Sequence, residues 1–155
     1  MDNLKKNMTP ELFSSIDLIL KHCPTAVFGG SIALNSVGLI DRPIGDIDLF
    51  FHLNESLNHN GFLSVPNDGI LSETVTDENG KEIQRTSSKV GTINVCVFKV
   101  DSSYLQHSIH EIEGRKIKVQ NVNYAINAKR TYAAKNINKH IADIKSIETV
   151  LDSII

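Results

Sequence analysis

The stretch from Val27 to Phe51 constrains this chain more than any other. It begins in a short apolar run, Thr25 to Phe28, breaks at Gly29-Gly30, and continues from Ser31 as a helical pattern with Ile32, Leu34, Val37 and Leu39, closed by Gly38. Strand, glycine turn and helix therefore follow one another without a linker. Paired glycines permit backbone conformations and close approaches that a Cβ forbids. Ser31 is a suitable helix N-cap, and the unpaired N–H groups of a first helical turn, at the positive end of the helix dipole, favour an anion such as phosphate. Gly-Gly-Ser also opens ordinary turns, so the motif needs a second signal.

That signal follows the Pro43–Gly45 break, where Asp46-Ile47-Asp48-Leu49-Phe50-Phe51 alternates as a strand. Alternation puts Asp46 and Asp48 on one face and Ile47, Leu49 and Phe51 on the other. Two carboxylates about 7 Å apart along a strand face repel each other. A hard divalent cation such as Mg²⁺ or Mn²⁺ relieves that repulsion and suits carboxylate oxygen. The plain alternative is a solvent-facing edge strand that carries two acids.

In order, spacing and element type, Gly29-Gly30-Ser31 followed by Asp46-X-Asp48 resembles the nucleotidyltransferase superfamily, the polymerase-β-like fold. The resemblance implies an α/β (α+β) domain, a small mixed sheet with helices mainly on one side, that moves a nucleoside monophosphate from an NTP to an acceptor. It implies Mg²⁺ (or Mn²⁺) on Asp46 and Asp48, with Gly29, Gly30 and Ser31 at the phosphates, and Arg42 stands before the Asp strand as in several subfamilies. A third carboxylate of that family stands on a later strand. The matching strand here is Thr92 to Val100, with Asn94, Cys96 and Phe98 on one face and Ile93, Val95 and Val97 on the other, and the matching residue is Asn94. An amide offers one carbonyl oxygen but neither charge nor basicity. Asp101 and Glu73 are the other acids that could supply the missing oxygen.

The tail extends the likeness. Lys129-Arg130 precedes Lys139-His140-Ile141-Ala142-Asp143-Ile144, similar to the ends of minimal and toxin-antitoxin-type nucleotidyltransferases, although His140 stands where an acid is usual. Lys129 and Lys139 are then candidates to meet nucleotide phosphates as point charges. Alternatively, Asp143 forms a solvated surface pair with Lys139 at four-residue spacing.

The rest of the chain frames this site. At 155 residues with 41% hydrophobic content, residues 1–155 fit one globular domain with a real core. A net charge of −2 gives no global attraction to nucleic acid or anionic membrane. No apolar run is long enough to cross a bilayer and no signal peptide is visible, so the expected location is cytoplasmic. Cys23 and Cys96 have no zinc or disulfide spacing and read as small buried or half-buried hydrophobes. Among six histidines only His52, on the Asp48 face, falls near the chemistry.

Residues 1–8 read as a frayed end. Thr9-Pro10-Glu11 starts a helix to about Lys21 with Leu12, Phe13, Ile16, Ile19 and Leu20 inward. Residues 54–60 read as a loop or helical turn, and residues 70–76 and 82–88 flank Asp77-Glu78-Asn79-Gly80 as an edge hairpin. Tyr104 to His110 reads as a short helix or loop and Lys116 to Gln120 as a strand. A helix capped by Asn121 or Asn123 follows, then a C-terminal amphipathic helix from Asn136 or Asn138 with Ile141, Ile144, Ile147, Val150, Leu151 and Ile154 inward. The acceptor stays open between a tRNA, a protein side chain and a small molecule. With little chain to spare, a protein partner or a second copy would supply its binding surface.

Overall fold

The computed structural model describes residues 2–54, 71–76, 80, 82–133 and 138–154, with only the backbone described for 71–76, 82, 132, 133 and 139. The first long element is the helix α1 (Pro10–His22), which begins as its sequence predicts: the Thr9 hydroxyl accepts from the Leu12 N–H at 3.1 Å and Pro10 occupies the first turn. Its inward stripe is Leu12, Ile16 and Ile19, fully buried, with Phe13 and Leu20 packed beside them. Residues 2–8, ahead of it, are not frayed. Leu4 is buried, the Asn3 amide side chain donates to the Ile40 carbonyl, and the Asn3 backbone N–H donates to Asn35. Polar composition hid this, because the buried polar groups there find backbone partners.

Among the described residues, seven strands form one mixed sheet. They are β1 (Val27–Phe28), β2 (Asp46–His52), β3 (Leu71–Thr76), β4 (Glu82–Val90), β5 (Ile93–Val100), β6 (His107–Ile112) and β7 (Arg115–Gln120), in the order β3-β4-β5-β2-β1-β7-β6. β2 runs parallel to β5, and β1 parallel to β7; the other pairs are antiparallel. The polar hairpin β3–β4 puts β3 at the sheet edge, as expected, whereas residues 55–70, 77–79 and 81, including most of the expected 54–60 loop, lie outside the described residues. Tyr104 to His110 is divided between a 3-10 turn, Ser102–Leu105, and the start of β6. That correction has a simple cause: β6 becomes a strand by pairing with β7 across the Glu113-Gly114 turn, not from its own polar pattern.

Among the described residues there are three further α-helices: α2 (Gly30–Ser36), α3 (Val122–Ala133) and α4 (Asn138–Ile154). Asn121 caps α3, its side-chain oxygen accepting from the Asn123 N–H. All four helices contribute to one apolar core against the sheet face that carries Ile47, Leu49, Phe51, Val95, Val97, Ile117 and Val119. The opposite face carries Phe50 stacked on Phe98, ring centroids 4.9 Å apart, within a smaller cluster with Ile83, Val100, Tyr104 and Tyr124. A mixed α/β architecture with helices mainly on one side is thus observed. No described helix is long and apolar enough to cross a membrane.

Two residues of the helical stripes point outward. Val37 is 42% exposed because α2 ends at Ser36, and Ile154 is 74% exposed in the last turn of α4. Ile147, by contrast, is fully buried. Chemical denaturation should therefore give Ile47→Ala, in the centre of the core, a loss of about 2–5 kcal/mol. Ile154→Ala should lie within about 0.5 kcal/mol of the parent protein.

Candidate functional site

The strand-turn-helix segment builds a site around two glycines. α2 begins at Gly30, with Gly29 in the capping position, so Ser31 lies inside the first turn and is not the N-cap. Gly30 has φ +55°, a conformation L side chains rarely adopt, and a Cβ there would sit 2.0 Å from Asp48 Oδ2. A Cβ on Gly29 would meet the Phe50 ring and the Gln120 side-chain oxygen at 2.5 and 2.6 Å. The Gly29 N–H also donates to the Asp48 carbonyl at 3.0 Å, which extends the β1–β2 ladder into the turn. Asp48 and the glycine turn are therefore in direct contact.

Strand register supplies the next residues. Asp46 stands opposite Asn94, Asp48 opposite Cys96 and Phe50 opposite Phe98 in the parallel β2–β5 pair, so all six share one face. Asp46 and Asn94 are exposed and Asp48 is half-buried. On the other side of β5, Lys89 pairs with Asn94 and Ser87 with Cys96. Lys89 was not anticipated, because β4 reads only as a polar edge strand and its register is set by β5. The alternatives to Asn94 separate as well. Asp101 caps the 3-10 turn at the far end of β5, accepting from the Ser103 N–H, and the Glu73 side chain lies outside those described.

Half-buried Cys96 keeps its proton more firmly than an ordinary thiol. Burial pushes its pKa up and the charges of Asp48 and Asp46 add to that, against an opposing hydrogen bond from Arg85 at 3.4 Å. His52 sits at the end of β2 away from Asp46, its Nδ1 accepting from the Asn54 N–H, and so is not part of this grouping.

A second grouping adjoins the first through Ser31. The Ser31 hydroxyl accepts from Arg42 Nη2 at 2.9 Å, and Arg42 forks onto Asp143, Nε to Oδ1 at 2.7 Å and Nη2 to Oδ2 at 2.8 Å. Lys129 Nζ reaches the same Oδ2 at 2.8 Å and lies 3.0 Å from His140 Nδ1. An ammonium only donates, so His140 accepts through Nδ1 and carries its proton on Nε2. The solvated Asp143 surface pair expected from sequence is corrected here: Asp143 is 3% exposed and bound to Arg42 and Lys129, residues distant in sequence. α4 brings Asp143 inward beneath α3, which a four-residue spacing does not reveal. Lys139 lies in the first turn of α4, but its side chain falls outside those described. His140 was missed because nothing in its spacing marked a partner.

Burial alone would raise the Asp143 carboxyl pKa. Hydrogen bonds from Arg42 and Lys129, with their charges, outweigh it and hold the group at about 2. Arg42 is correspondingly raised, first by its hydrogen bond to Asp143 and, against desolvation, by the charges of Asp143 and Asp46. The two groupings therefore feel each other electrostatically.

Gly30→Ala should destabilise the protein by about 1–3 kcal/mol through backbone strain and the displaced Asp48 carboxylate. Gly45→Ala, whose Cβ would have nothing within 4 Å, should cost under about 1 kcal/mol in the same urea titrations. Because the Asp143 pKa is depressed in the folded state, its contribution is present above the unfolded value near 4 and lost as pH falls toward 2. Stability measured from pH 5 down to pH 2 should therefore fall by about 2 kcal/mol more in the parent protein than in Asp143→Asn.

No protein-family model matches this sequence, and no curated protein matches it. Among solved structures, the crystal structure of JHP933 from Helicobacter pylori is similar at 16% identity and a TM-score of 0.38, over 76% of this chain and 53% of that one. The chain thus spans about half the length of that protein, and a likeness of this extent carries no conclusion about activity.

Proposed function

We propose that the protein is a nucleotidyltransferase-type domain that transfers a nucleoside monophosphate from an NTP to an acceptor hydroxyl. The observation that carries this reading is the contact between the Asp48 carboxylate and Gly30, which joins the acid pair and the glycine turn in one place. The reaction forms a bond from acceptor oxygen to the α-phosphorus and releases pyrophosphate, with the acceptor proton passing to solvent or a base.

The donor set fits one hard divalent cation: carboxylate oxygens from Asp46 and Asp48 and an amide oxygen from Asn94, on adjacent parallel strands. Among the described residues no group of three or more His, Cys, Asp and Glu side chains is arranged for a metal, so this set depends on Asn94 as its third oxygen. Mg²⁺ or Mn²⁺ bound there would neutralise charge on the triphosphate. Gly29 and Gly30 let backbone approach the phosphates, the Ser31 hydroxyl lies beside them, and Arg42 and Lys129 contribute positive charge; Lys139 is a further candidate. Asn94 is a neutral amide and cannot take the acceptor's proton.

Asn94 also favours a second reading. A neutral side chain opposite Asp46 suits a nucleotide- or metal-binding module whose catalysis has been lost and which acts through a protein partner. The acceptor in the first reading is a tRNA, a protein or a small molecule.

The test is incubation of the purified chain with each α-labelled NTP and Mg²⁺ or Mn²⁺ in cell extract, beside Asp46→Ala/Asp48→Ala and Asn94→Asp. Transfer by the parent protein should disappear in the double alanine variant, and Asn94→Asp should raise it at least tenfold, the scale of a general base. Transfer by Asn94→Asp alone establishes the second reading. No transfer and no nucleotide binding by any form removes both.

A further inference from the structure

The cluster under α4 joins α3, α4 and the segment before β2. One carboxylate, Asp143, binds two cations, Arg42 and Lys129, and Asp143 and Lys129 are both buried. Arg42 sets this cluster beside the glycine turn, where it also feels the charge of Asp46.

Arg42 is the member of the cluster that reaches the turn. Of its five N–H donors, Nε and one on Nη2 face Asp143, the second on Nη2 reaches Ser31, and one on Nη1 reaches the Pro43 carbonyl at 3.3 Å. One Nη1 N–H is left over, on a side chain that is 26% exposed. A guanidinium pinned along one edge by a carboxylate presents its other edge without the rotamer entropy a free arginine would lose on binding. Residue 143 thereby joins α4 to the first turn of α2 through a continuous path, Asp143 to Arg42 to Ser31, next to Gly30 and Asp48.

We propose that Asp143 is a positioning residue for the nucleotide site: its carboxylate holds the Arg42 guanidinium across Ser31 and Lys129 beside it, presetting both cations for the phosphates of an NTP. This rests on the nucleotide-binding reading above. Asp143 itself touches no phosphate; it acts through Arg42 and Lys129. Its loss would leave two like charges unpinned, so local positive charge rises while affinity for a polyanion falls.

Calorimetric titration of the full chain with Mg²⁺ and ATP, GTP, CTP and UTP in turn tests this, using the tightest-binding nucleotide for the variants. Arg42→Lys keeps the charge but cannot fork onto a carboxylate while reaching Ser31, so it should bind about tenfold more weakly while still unfolding cooperatively. Asp143→Asn and Arg42→Gln should each lose about tenfold, and the double variant should be no more than about threefold worse than either, because Asp143 acts through Arg42. Parent-like affinity in Arg42→Lys, or a fully multiplicative hundredfold loss in the double variant, overturns the positioning role and leaves nucleotide binding intact. Should Asp143→Asn fail to fold, Arg42→Lys decides alone. No binding of any nucleotide by the parent protein removes the nucleotide reading and the Asp143 role with it.

Discussion

The close approach of Gly30 to Asp48 is the contact on which the rest of this site depends. A left-handed residue at the head of α2 turns the chain sharply from β1 into the helix, and the space a Cβ would fill is taken by a carboxylate from the neighbouring strand. The two requirements reinforce each other. The backbone conformation asks for glycine, and the carboxylate could not lie there beside any other residue. Moving Asp48 away would also disturb the sheet centre, since Ile47 and Leu49 on either side of it are fully buried in the main core.

From that contact the architecture spreads in two directions. Across the sheet, parallel pairing of β2 with β5 brings residues far apart in sequence, Asp46 and Asn94, directly opposite each other, and antiparallel pairing adds Lys89. Through Ser31 and Arg42 it reaches Asp143 and Lys129, so the last helix is tied to the first turn of the second by charge as well as by apolar packing. The apolar alternation of β2, β5 and β7 draws the main helical packing to the other face, so the acid-bearing face is covered only in part, by Tyr104 and by Tyr124 of α3 near Phe50 and Phe98. Asp46 and Asn94 stay exposed at the open end of that face.

The buried ionic cluster shows how charge and fold constrain each other here. Asp143 is held ionised by two cations despite its burial, and both cations come from segments with no sequence relation to it. Such a cluster forms only when α3, α4 and the segment before β2 have docked, because each charge would otherwise prefer water. It is therefore a product of the folded state and not of any local propensity.

Local physics was legible in the residues themselves. Thr9 and Pro10 announce a helix start, alternation assigns Asp46 and Asp48 to one face and Ile47, Leu49 and Phe51 to the other, and Glu113-Gly114 marks a turn, because caps, period-two patterns and left-handed positions are decided by near neighbours. Non-local contacts were not legible. The packed N-terminus around Leu4, the strand state of β6, the inward Asp143 and the His140–Lys129 contact each depend on a partner far along the chain or on how helices seat on the sheet. The glycine turn, the paired acids and the α/β pattern can be read from the residues alone; which distant side chains meet them cannot, because pairing register and helix docking are settled by burial of the whole core and not by any one segment.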